Sequence, residues 1–101
     1  MSNEPELTAE QVEERLEQKT APRVTKDLIQ GKIAQVEYVQ HGNVTTICFI
    51  TMRNGFVFDG ISACASPENY DPKIGEHYAY ENAFRKIWSH EGYLLKETLS
   101  K

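Results

Sequence analysis

Positive charge is scarce in this 101-residue chain: 11 Lys and Arg stand against 15 Asp and Glu, a formal net charge of −4. Without surplus cations there is little to displace counterions from a phosphate backbone, which argues against nonspecific nucleic-acid binding. Long apolar runs are missing too. None approaches the ~20 residues of a membrane-spanning helix, and the acidic opening MSNEPELTAEQ has no apolar stretch of the secretory type. The expectation is an intracellular protein with no membrane partner.

Cysteine is also sparse, with only Cys48 and Cys64. A two-residue turn at Asn54-Gly55 would set Cys48 opposite Ile61 and Cys64 opposite Thr45. Alternation along a strand then directs the two thiols to opposite faces, too far apart for a disulfide. His41, His77 and His90 show no ligand spacing with each other or with the cysteines, so no metal site is expected. Ser62 and Cys64 have no base at a recognisable spacing, and no Gly-rich phosphate loop exists. No catalytic residue and no cofactor are expected, and the chain reads as non-enzymatic.

What is present is an ordinary globular composition, 40% hydrophobic and 26% charged, enough for one domain. Residues 1–7 read as a disordered N-terminus and 8–101 as a single α+β domain. Thr8 and Gln11 form a capping box, with Leu7 and Val12 spaced as a hydrophobic staple, ahead of a helix over 9–18. Only Val12 and Leu16 give that helix an apolar face, so it must dock on its own core or on another subunit. Ala21-Pro22 breaks the pattern. Thr25 caps a second short helix, anchored by Leu28 and Ile29 and ended by Gly31.

From Ile33 the period shifts to two. Turns at Gly42-Asn43 and Asn54-Gly55 divide the chain into a three-stranded antiparallel meander, with strands over 44–53 and from Phe56 to about Ala63. With two-residue turns, Val36, Tyr38, Ile47, Phe49, Phe56 and Phe58 share one face. The other face carries Val39, Val44, Cys48, Ile50, Met52, Val57 and Ile61. Two apolar faces need two covers, so a homo-oligomer is expected. Asp71-Pro72 then opens a long C-terminal helix. Its stripe of Tyr80, Ala83, Phe84, Ile87 and Trp88 packs on the sheet, with Phe84 and Trp88 the largest burial terms at about 3 kcal/mol each. Gly92 ends the helix, and Tyr93, Leu94 and Leu95 return to the core.

Two polar clusters are candidate sites. Tyr78, Asn82, Arg85 and Ser89 lie opposite the aromatic stripe. They read either as a solvated face, with Glu81 and Arg85 paired at i,i+4, or as groups that stack on and hydrogen-bond a base or ribose. Ser66, Glu68 and Asn69 either satisfy a turn or offer polar groups beside a helix N-terminus that favours anions. Pro72 and Asp71 weaken the anion reading by removing and occupying donors. The ligand-binding candidates are Asn69, Tyr78, Asn82 and Arg85.

The motifs Asn54-Gly55-Phe56, Ser62-Ala63-Cys64, Ser66-Pro67-Glu68-Asn69, Ile74-Gly75, Ala79-Tyr80-Glu81-Asn82-Ala83, Trp88 and Glu91-Gly92-Tyr93-Leu94-Leu95 cover roughly the C-terminal half. In combination they resemble a family of small tailed-phage accessory proteins, the gene product forty-nine/sixty-six type. That resemblance implies a phage or prophage origin and a non-structural role in the cytoplasm of the infected bacterium. The loop and helix motifs are also similar to a Thoeris anti-defence sponge, which implies sequestration of a cyclic ADP-ribose-type signal without cleavage. Glu76-His77 departs from the pattern where basic residues are common, and Tyr78 stands where an aliphatic is usual. Two functional readings follow: a module that sequesters a nucleotide-like molecule, and a protein-interaction module that inhibits a host factor through its acidic N-terminal helix (Glu10, Glu13, Glu14, Glu17).

Overall fold

A computed structural model describes residues 5–101; the expected disorder of residues 1–7 falls, for residues 1–4, outside them. The Thr8 hydroxyl accepts from Gln11 N, and the Gln11 side chain accepts from Thr8 N, so the capping box starts helix α1 (Ala9–Glu17). Thr25 caps helix α2 (Lys26–Gly31) by accepting from Leu28 N at 3.1 Å. Gly31 is the last helical residue and has no positive φ, so the turn closes without a left-handed glycine. Ile29 anchors α2 in the core, whereas Leu28 is largely exposed.

Strands β1 (Ile33–His41), β2 (Thr45–Met52) and β3 (Val57–Ala63) form one antiparallel sheet in the order β1-β2-β3. Both turns are one residue longer than the two-residue reading. His41 pairs with Thr45 and Val36 with Ile50, so Gly42, Asn43 and Val44 make up the first loop. Thr51 pairs with Val57, and Met52 N donates to Phe56 O at 2.8 Å, leaving Arg53, Asn54 and Gly55 as the second. Gly55 N donates back to Met52 O at 2.9 Å, and Gly55 has φ +91°, a three-residue hairpin closed by a left-handed glycine.

One extra residue per turn changes which side chains share a face. The expected division of the sheet is therefore corrected. Thr46, Cys48, Ile50, Met52 and Phe58 all point to the buried side, and Ile47, Phe49, Val57 and Ile61 to the open side. The cysteines are free, as expected, but for another reason. Cys64 lies opposite Val44, four positions from Cys48 along β2, about 13 Å at strand rise.

Helix α3 (Pro72–Leu99) covers the buried side. Asp71 caps it, accepting from Lys73 N at 2.9 Å. The core lies between sheet and helix: Ile29, Cys48, Ile50, Met52, Phe58, Ala79, Ala83 and Ile87, with Val24, Ile33, Val36, Tyr80 and Phe84 packed around it. The seam of α3 is Gly75, Ala79, Ala83 and Ile87, one step round the helix from the expected aromatic stripe. Small residues bring the helix close, so Phe84 is only half-buried and Trp88 is 42% exposed; neither is the leading burial term. Nor does Gly92 end the helix. α3 runs seven residues beyond it, and Tyr93 and Leu94 face solvent rather than the core. No helix among the described residues is long and apolar enough to cross a membrane.

Candidate functional site

Along α3 the rings of Tyr80, Phe84 and Trp88 follow one another at i,i+4. Tyr80 and Phe84 have centroids 5.6 Å apart and Phe84 and Trp88 6.2 Å, tilted by 32° and 35°. Because Ala79 and Ala83 take the core-facing positions, this ladder is left along the side of the helix. It forms one wall of a groove of about 480 Å³ whose rim carries Glu13 of α1, Lys26 of α2, and Glu81 and Arg85 of α3. That volume lies within the range of small-molecule sites. Burial raises the Tyr80 hydroxyl pKa, with the nearby Cys48 thiol acting in the same direction and a hydrogen bond with Gln30 against it. Tyr80 is therefore an uncharged phenol at neutral pH.

Arg85 is held rather than free. Its Nη1 donates to Asn82 Oδ1 at 3.3 Å, and Asn82 Nδ2 donates to the carbonyl of Ile61 at 2.9 Å. The guanidinium is thus tied, through an amide, to the outer edge of β3. The expected Glu81–Arg85 pair does not form: Glu81 faces His77 Nε2 at 3.2 Å.

Asn69 and Tyr78 lie elsewhere. They line a smaller cavity of about 190 Å³ between β3 and the start of α3, with Cys64, Tyr70 and Ile74. Asn69 ends the 3-10 turn Pro67–Asn69. There Ser66 Oγ donates to Glu68, which lowers the pKa of that exposed carboxyl, so this loop largely satisfies its own polar groups. Of the four candidates, then, Asn82 and Arg85 act together and Asn69 and Tyr78 line a second cavity. The i,i+4 spacing of Tyr80, Phe84 and Trp88 is the sequence's sign of the ladder, and it reads as core packing on the sheet rather than as the wall of a groove. Among the described residues no group of three or more His, Cys, Asp or Glu is placed to hold a metal ion.

Compared with families of known proteins, residues 24–99 match the Phage protein (N4 Gp49/phage Sf6 gene 66) family. The chain belongs to that family. The match spans about three quarters of the sequence and takes in α2, the whole sheet and α3, leaving out α1. Comparisons with curated proteins and with solved structures gave no match. In this member of the phage family, the groove's Lys26, Glu81 and Arg85 all fall inside the matched region, and Glu13 falls outside it.

Proposed function

We propose that this phage-family protein acts without catalysis in the cytoplasm of the infected bacterium and sequesters a nucleotide-type immune signal. The observation that supports this reading is the groove along α3. Its aromatic ladder offers a face on which a base stacks. Arg85 and Lys26 at the rim suit phosphate oxygens, and the carboxylate of Glu13 suits a ribose hydroxyl pair. Asn82 is a positioning residue in this scheme, since it holds Arg85 in place. The cavity beside Asn69 and Tyr78 is below the roughly 300 Å³ at which small-molecule pockets begin, and it serves at most an edge of the ligand.

Calorimetric titration with linear and cyclic adenine nucleotides tests the assignment. Binding by the intact protein and at least a tenfold loss in Arg85→Ala, with the far-UV circular dichroism unchanged, is the expected result. Undiminished affinity in that variant would sink it.

A second reading, inhibition of a host protein, is favoured by α1. This helix has no buried residue, yet it presents Glu10, Glu13, Glu14 and Glu17. If α1 is the contact, deletion of residues 1–20 abolishes capture of the host partner.

A further inference from the structure

The open face of the sheet is an apolar surface that the fold leaves uncovered. Register places Val39, Ile47 and Ile61 in one cross-strand row, with Phe49 beside it on β2 and Val57 beyond on β3. Val39 is 46% exposed, Val57 48% and Ile61 54%. None of the helices among the described residues lies over this row. α3 occupies the opposite face, α2 packs on α3, and α1 reaches the groove on the side of α3. The molecule is a slab 48 × 45 × 19 Å, and its radius of gyration of 16.6 Å exceeds the about 13 Å of a compact 100-residue domain.

We infer that a second copy of this chain covers this face, sheet against sheet, in a two-fold dimer. Area is the first argument. Three strands of about eight residues span roughly 14 by 27 Å. That is about 380 Å² in projection. With side-chain relief it lies at the small end of specific interfaces, below the roughly 800 Å² per partner of a standard one, so the dimer is a concentration-dependent one.

Charge is the second. The face has two acidic residues, Glu37 and Asp59, and both flank Phe49 on the outer strands. Each is already met within its own chain: Lys86 Nζ lies 3.3 Å from Asp59, and Gln35 donates to Glu37. An apolar centre on β2 with a rim of internally satisfied charge is the anatomy of a protein interface. It is self-complementary, because no unpaired charge meets its own copy across the two-fold axis. A strongly charged partner would find nothing to pair with. Packing the two sheets about 10 Å apart gives a four-layer α/β/β/α sandwich.

This inference does not depend on the nucleotide reading, since the groove lies on the side of α3 away from the open face. Sedimentation equilibrium of the full chain at about 5 to 200 µM tests it. The expected mass is twice 11.6 kDa. Ile61→Glu and, independently, Val39→Glu on the other outer strand each bring two charges into the interface and should weaken dimerisation at least a hundredfold. Both side chains face solvent in the single chain, so the circular dichroism should not change. Leu94→Glu, at the exposed end of α3, should leave the dimer intact. A monomer across the whole range, or a dimer that survives both strand variants, overturns the inference. So does a dimer lost in Leu94→Glu but not in the strand variants.

Discussion

Gly60 of β3 and Ala83 of α3 meet backbone to backbone: a Cβ built on Gly60 would lie 2.9 Å from Ala83 Cα and closer still to the Ala83 amide. Nothing flexible lies in between. This contact sets the height of α3 above the sheet. Because α3 lies so low, the larger rings on its flank are turned aside into the groove wall. The same short distance that buries Ala79 and Ala83 leaves Trp88 exposed.

Gly60→Ala should therefore be costly although it adds one methyl group. The methyl would strike helix backbone, and relief requires lifting α3 off β3, which loosens the packing of Ile50 and Ile87. Overpacking of this kind costs typically about 1–3 kcal/mol, occasionally more. Urea denaturation should show a loss of at least about 2 kcal/mol; an unchanged midpoint would mean that helix and sheet are further apart than described.

Gly92→Ala should have the opposite sign. Gly92 lies inside α3, and a Cβ there has nothing within 4 Å. Alanine in a helix interior is favoured over glycine by about 0.5–1 kcal/mol. Thermal unfolding should move up by a few degrees, whereas a helix that stopped at Gly92 would be destabilised.

These two glycines show what was legible in the sequence and what was not. The capping box at Thr8, the cap at Thr25 and the Asp71-Pro72 start are local rules, and each helix begins where they place it. The three strands and their order also follow from period and turn residues. The register does not, because Asn54-Gly55 suits a two-residue turn and the end of a three-residue loop alike. Only the packing of β2 against α3 decides between them. That single residue exchanges Ile47 and Phe49 for Cys48 and Ile50 in the core. Gly92 carries the same ambiguity, as a cap by composition and a helical residue by context. At the site, the placement of Asn82 and Arg85 on one face of the helix was legible from spacing, but the partner expected for Arg85 was Glu81 rather than Asn82. The separation of Asn69 and Tyr78 from them depends on how the 3-10 turn folds back, which no local rule fixes.

Cys48 should be chemically silent. It is fully buried, and burial pushes its thiol from 9.0 up to about 11. A native thiol titration with Ellman's reagent at pH 8 should count one fast cysteine, Cys64, and a second only after denaturation. The same shift has a pH consequence. The folded pKa is raised, so its stabilising contribution is complete below about pH 9 and is lost as pH rises through about 11. Urea midpoints should fall over that window, and less steeply in Cys48→Ala. The variant's slope should remain non-zero, because burial raises the Tyr38 and Tyr80 phenols in the same sense.

Thr46 is the polar residue buried in this core, and its hydroxyl lies 2.6 Å from the Tyr70 hydroxyl. The two partners are unequal. Tyr70 is half-buried, so in Thr46→Val its hydroxyl still reaches water. Tyr70→Phe instead strands the Thr46 hydroxyl among apolar side chains, at about 1–3 kcal/mol. Tyr70→Phe should therefore cost more than Thr46→Val, and the double variant less than their sum. The pair also discriminates between the two cavities. Tyr70 follows directly on the turn that carries Asn69, whereas Arg85 is held by Asn82 and the edge of β3. Under the reading proposed for the α3 groove, Tyr70→Phe lowers stability and leaves nucleotide affinity unchanged. If affinity falls while the protein remains folded, the ligand sits beside Asn69 and Tyr78 instead.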